Sequence, residues 1–199
     1  MKKRTLAFIA LTISGIVFMT VLIRATVIAP TEGEYVPILA TASNGVTASS
    51  MPSIPTRLII PSIEVDAKVQ GVGLTLLGNM GVPHNYTDVG WYKYGTIPGA
   101  KGSAVIDGHV DDGVSIPAIF GRLKDMKPGD LIIIRTESGK ELTFKTEEVQ
   151  LYSNNEVPRT RLFNRADGIY LNLITCSGSW LPDRTSYDHR LVVYARLVT

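Results

Sequence analysis

One cysteine, Cys176, is all the thiol chemistry that this chain of 199 residues carries. A single thiol excludes an internal disulfide framework and any zinc site built from several cysteines. Charge of one sign is lacking too: 20 Lys and Arg against 18 Asp and Glu leave a formal net charge of +2. The basic residues are scattered rather than gathered in a stripe, which argues against a nucleic-acid partner. Histidine is scarce, with only His84, His109 and His189. No internal repeat is visible, and little of the chain after Thr56 has a helical pattern. What is present, 45% hydrophobic residues, suffices for one well-cored domain with appendages.

The one long uncharged run stands at the start. Lys2-Lys3-Arg4 precedes Thr5 to Ile23, and Arg24 closes it. At about 1.5 Å per residue such a run reaches roughly 28 Å as a helix, close to the hydrocarbon thickness of a bilayer. The basic flank favours a cytoplasmic start, with the remainder across the membrane. A cleaved signal peptide is the competing reading. The run is long for a signal h-region and no clean small-x-small site follows it, so residues 1–24 read as a single transmembrane signal-anchor. Residues 25–53 read as a tether, with Pro30, Pro37 and Pro52 and a Thr, Ala, Ser, Gly and Asn-rich stretch over 41–50. Tyr35-Val36-Pro37-Ile38-Leu39 is the part of it best suited to pack back onto a domain.

Residues 54–199 carry short β-branched runs separated by turn signals. Strands are predicted at 57–60, 65–69, 103–106, 131–135, 142–149, 169–176 and 191–198, with a short helix near 116–126. Pro61, Gly71, Pro128-Gly129-Asp130 and Ser138-Gly139 punctuate them. Strands at this spacing with little helix predict an all-β sandwich or closed barrel.

Cys176 lies where the run Ile169 to Ile174 is expected to end at Ser177-Gly178-Ser179. A strand aims its last side chain through the ladder behind it, and a loop leaves that side chain reachable, so the position suits a nucleophile. A lone cysteine is otherwise a small buried hydrophobe. A thiol with a pKa near 8.5 is only a few per cent thiolate at neutral pH, so a cysteine enzyme must supply a partner. His109 closes the strand Val105-Ile106-Asp107-Gly108 and is the matching strand-end base; His84 sits in a loop and His189 beside Asp188. An attacked carbonyl develops negative charge and needs a fixed donor. Arg190, before Leu191-Val192-Val193, suits that task through its planar permanent charge, with Arg184 as the rival.

Taken together, Leu173-Ile174-Thr175-Cys176, Gly108-His109 and Arg190 on an apolar final strand resemble a sortase. Leu58-Ile59-Ile60-Pro61, Gly90-Trp91-Tyr92 and Gly102-Ser103-Ala104-Val105-Ile106 resemble further family segments, over about 54–198. Gly108-His109-Val110-Asp111 is closest to class F, with class D or E as alternatives. One residue departs: Asn172 stands where the family usually has threonine, four before the cysteine.

The resemblance implies a closed sortase-type β-barrel of about eight strands with short helices. It implies a cysteine transpeptidase that cuts a Leu-Pro-x-Thr-Gly type sorting signal between Thr and Gly. Cys176 would form the thioester, His109 would move the proton, and Arg190 would hold the carbonyls and oxyanion. The partners would be surface proteins or pilins bearing the signal, and an amine acceptor such as a lipid-linked cell-wall precursor. The loop 153–168 would wall the signal's groove and 177–188 would flank the acceptor. No cofactor is expected. Asp111 and Asp112, even with Glu147 and Glu148, make a thin calcium site where six to eight oxygens are wanted. The implied location is the cell membrane, with the domain outside. The alternatives are a membrane-tethered β module binding wall polymer, or a Cys-dependent peptidoglycan L,D-transpeptidase. A papain-like order of cysteine before histidine is reversed here.

Overall fold

The structure, a computed structural model, describes residues 53–183 and 185–198 and the backbone of Glu34–Tyr35. The expected membrane anchor over 1–24, most of the tether and Arg184 lie outside the described residues. No helix among the described residues is long and apolar enough to cross a membrane.

Eight strands close into a barrel: β2 (Pro55–Ile60), β3 (Val65–Val72), β5 (Val89–Tyr92), β6 (Gly102–Asp107), β7 (Leu131–Thr136), β8 (Glu141–Ser153), β9 (Ile169–Leu181) and β10 (Ser186–Leu197). Around the barrel they run β10-β8-β7-β2-β3-β5-β6-β9. The pairs β3–β5 and β6–β9 are parallel, and the others are antiparallel. Beside the barrel, β1 (Glu34–Tyr35) pairs with β4 (Leu74–Thr75), so Tyr35 of the predicted packing run does return to the domain.

Alternation along the strands creates two apolar layers. Ala104 and Ile106 of β6, Leu171 and Leu173 of β9, and Val193 and Ala195 of β10 fill the interior with Leu58, Trp91 and Phe144. The residues between them form a second cluster on the outer face: Val105, Ile174, Val192 and Tyr194, with Tyr92 of β5. A single-turn helix, α1 (Arg159–Phe163), covers that cluster with Leu162 and Phe163.

Three expectations need correction. Residues 116–126 contain no α-helix, only a 3₁₀ turn at Leu123–Asp125. Pro117 cannot donate to a helix and makes an isolated β-bridge with Asp111. The Phe120 amide donates to the His109 carbonyl at 2.9 Å and the Ala118 amide to Val110 at 3.0 Å. The first half of the segment therefore pairs with the chain beyond β6, and only short turns from Ala118 on bond within it. Next, β9 does not stop at Cys176, nor does β10 open at Arg190, since both strands continue into one long hairpin. Ser177-Gly178-Ser179 bulges rather than breaks the strand. Finally, α1 falls in the stretch 153–168, read as a loop, and β5 in one given no element, both being short and lacking a periodic pattern of their own.

Candidate active site

Cross-strand register brings the sequence-predicted residues together. On the outer face, Tyr194, Asn172 and Val105 form one row across β10, β9 and β6, and Val192, Ile174 and Asp107 form the next. Two residues further along, Arg190 stands directly opposite Cys176. His109 comes two residues after Asp107, just past the end of β6. Gly108 is held to β9 by both its backbone groups. Its amide donates to the Ile174 carbonyl at 3.3 Å, and its carbonyl accepts the buried Thr175 hydroxyl at 2.7 Å. His109 thus follows a residue clamped to the two residues that precede Cys176. Phe120 lies against Gly108 so closely that a Cβ there would come within 2.6 Å of the ring.

The His109 ring donates from Nε2 to the Pro83 carbonyl at 3.1 Å, which puts the proton on Nε2 and leaves Nδ1 as the acceptor. Tyr86 packs edge-on to the imidazole at 5.1 Å. Burial lowers the His109 pKa, opposed by the Pro83 bond and by Asp111. Burial raises the Cys176 thiol; Arg190 pulls it down, and Asp107 and Asp111 push it up. Both shifts favour the uncharged pair, thiol and imidazole, in the resting site.

Arg190 is fixed by acceptors on its own strand: the Tyr187 carbonyl at 3.2 Å, the His189 carbonyl at 2.9 Å and the Ser186 hydroxyl at 3.0 Å. No carboxylate binds it among the described residues, so its charge remains directed at the thiol. The other two histidines do different work. His84 is exposed, and its amide donates to Gln70. His189 donates from Nδ1 to Asp188 at 2.7 Å, and that carboxylate also accepts the Ser179 amide at 2.7 Å. Trp180 pairs with Tyr187 and Ser177 with His189, so Gly178 and Ser179 together face Asp188 as a β-bulge. Gly178 has φ +86°, and a Cβ on it would fall 2.0 Å from the Asp188 carboxylate.

The acidic pair after His109 forms a turn. Asp111 accepts the Gly113 amide and the Tyr187 hydroxyl, and Asp112 accepts the amides of Val114 and Ile116. Tyr187 thereby ties β10 to the loop after His109; burial, together with the bond to Asp111, pushes its pKa up to about 12. Glu148 is paired with Arg161 of α1. No group of three or more His, Cys, Asp or Glu among the described residues is arranged to hold a metal ion. Asn172 is buried and donates to the Leu162 carbonyl at 2.6 Å. The departing residue therefore fastens α1 to the barrel.

Asp107 is the residue that sequence reading missed. It is buried, its Oδ1 has no hydrogen-bond partner, and burial holds its pKa well above the carboxylate range. It leans over Gly90, where a Cβ would lie 2.4 Å from that oxygen. The signal was an acid inside the apolar strand two residues before His109, alternating onto the face of Cys176.

The sortase domain model matches residues 58–198. The chain belongs to the sortase family. Solved structures carry the same fold. Sortase C-1 from Actinomyces oris is 21% identical, with 75% of this chain and 76% of that one covered at a TM-score of 0.56. A lid mutant of sortase A from Corynebacterium diphtheriae is 21% identical, with 76% and 73% covered at 0.57. Sortase C1 from Streptococcus suis is 20% identical, with 74% of each chain covered at 0.57. No curated protein matches the chain. As a sortase the protein is a cysteine transpeptidase, and Cys176 is its single cysteine.

Proposed function

We propose that this sortase cleaves a Leu-Pro-x-Thr-Gly type signal between Thr and Gly through Arg190, Cys176 and His109. The observation that supports the reading is Arg190 directly opposite Cys176, with no carboxylate partner among the described residues, and Gly108, the residue before His109, bound to Thr175, the residue before Cys176. The Cys176 sulfur attacks the threonine carbonyl while Arg190 steadies the oxyanion. As the sulfur attacks, His109 takes the thiol proton; the Thr–Gly bond then breaks, His109 gives that proton to the leaving glycine amine, and a thioester remains. An incoming amine then attacks the thioester, gives its proton to His109 and frees the thiol. The acceptor is an amine of a lipid-linked cell-wall precursor or a pilin; water in its place gives slow hydrolysis. No metal or cofactor enters the scheme.

Residues 1–24 are proposed as a single-pass anchor, 25–53 as the tether and 54–199 as the catalytic domain, held outside the cell. Confinement to the membrane raises the effective concentration of membrane-held substrates. Within the family, Gly108-His109-Val110-Asp111 supports class F, with D or E as alternatives. The test is a panel of sorting peptides, each incubated with a primary amine and followed by mass spectrometry. Amide products joined after threonine support the reading. A folded enzyme that leaves every peptide intact rejects it. Exposed to protease on protoplasts, the domain should be removed; protection of the domain with loss of an N-terminal tag would reverse the topology.

A further inference from the structure

The turn that follows β4 presents Leu76 and Leu77 to solvent, at 76% and 78% exposure. The turn is stiff. The Gly78 amide donates to the Thr75 carbonyl at 2.9 Å, and the Thr75 amide donates to the Asn79 carbonyl at 2.8 Å. The Asn79 amide is also bound, by the Thr75 hydroxyl at 3.2 Å, and Leu74 bridges to Met80. These bonds fix the backbone of the turn that carries both leucines. The surrounding stretch, residues 71–83, carries no charged side chain, and Val82 adds further exposed apolar surface. Two adjacent leucines displayed on this tip cost hydration with no gain among the described residues, so an apolar partner is implied.

The chain's own connectivity names the partner. Glu34 pairs with Thr75, the residue just before Leu76. Arg24, which closes the apolar run, lies ten residues before Glu34. Ten residues span at most about 35 Å when fully extended. On the anchor reading above, which this inference rests on, the tip is held within that distance of the bilayer.

We propose that the Leu76–Leu77 tip inserts into the outer leaflet of the membrane that holds the anchor. β1 and the tip then form a second point of attachment, which fixes how the barrel is oriented over the lipid. The attachment is apolar, so it should be indifferent to the lipid headgroup charge.

The test uses the full chain in vesicles of zwitterionic lipid, with Leu77→Trp as a reporter and Ser62→Trp, in the exposed 3₁₀ turn between β2 and β3 at the opposite end of β3 from the tip, as its control. With brominated acyl chains, the emission added by Leu77→Trp should be largely lost and its maximum blue-shifted. The emission added by Ser62→Trp should stay accessible to aqueous iodide. Adding anionic lipid should leave the Leu77→Trp result unchanged. The proposal is overturned if the chain floats with the vesicles while the indole of the Leu77→Trp variant remains iodide-accessible and unquenched by bromine. Protection of that indole only on adding a sorting peptide, or only at high protein-to-lipid ratio, also overturns it, in favour of a substrate contact or a second copy. A chain that does not float with the vesicles refutes the anchor reading and this inference with it.

Discussion

Arg190 and Cys176 face each other across the β9–β10 pair, and the guanidinium is held there by two carbonyls and a hydroxyl rather than by an acid. An ion pair would have neutralised it. Held this way, it lowers the thiol's pKa against the stronger effect of burial.

Arg190→Gln should therefore move the pH profile of iodoacetamide labelling at Cys176 to more alkaline values. It should also lower peptide turnover by on the order of 10²–10³, the usual loss for one oxyanion donor. Arg190→Lys keeps the charge but loses the planar fork, and should stay well below wild type. Arg184→Ala should cost much less. An unshifted labelling profile in the glutamine variant would refute the electrostatic role.

The directions at His109 and Cys176 set the resting charge state. A lowered imidazole and a raised thiol leave the uncharged pair dominant. Labelling of the wild type should rise with pH through and beyond the ordinary thiol range, with no plateau on the acid side. A thiolate plateau persisting below pH 6 would mean that an ion pair forms in the free enzyme. His109→Ala should abolish turnover, and His84→Ala should be nearly silent. A modest loss at His189 would match its bond to Asp188 in the bulge.

The Thr175 hydroxyl fastens Gly108 beside the nucleophile. Thr175→Val keeps the shape but strands a buried carbonyl, which costs about 1–3 kcal/mol. Thermal unfolding should show that loss, and kcat should fall because His109 is no longer fixed relative to Cys176. Thr175→Ser should restore both. A valine variant with wild-type kcat would make the clamp purely structural.

Asp107 yields a pH signature. Its folded pKa is raised, so the folded state holds a proton that the unfolded chain releases above about pH 4. Stability should therefore fall as pH rises from that value until the folded-state pKa is reached. Asp107→Asn removes this slope. Its unfolding temperature should exceed wild type at pH 7, and the gain should vanish below pH 4. An equal gain at both pH values would show that the acid is not the cause.

Much of this was legible in residue order. The strands over 57–60, 103–106 and 131–135 announced themselves through β-branched runs closed by turn residues; these left a sandwich or a closed barrel, and the sortase resemblance pointed to the barrel. Cys176, His109 and Arg190 were singled out, but as ends of strands. The register that sets Arg190 opposite Cys176 depends on a hairpin continuing past Gly178, and a glycine flanked by serines reads as a stop until Asp188 and His189 are seen to fill the bulge. The stretch 116–126 misled for a related reason. Its amides bond to His109 and Val110, partners that local propensity does not reveal. Asp107 was hidden because only β-sheet alternation, with Val105 outward and Ile106 inward, tells which way an acid in an apolar strand points.

The central claim is that Cys176 carries the acyl group, and intact mass of the enzyme after a brief exposure to a Leu-Pro-x-Thr-Gly peptide tests it most directly. The enzyme should gain a mass equal to the peptide up to and including threonine, mapped to Cys176, released by hydroxylamine and absent in Cys176→Ala. Turnover of the same peptide by folded Cys176→Ala, or an acyl group mapped to any other residue, would contradict it.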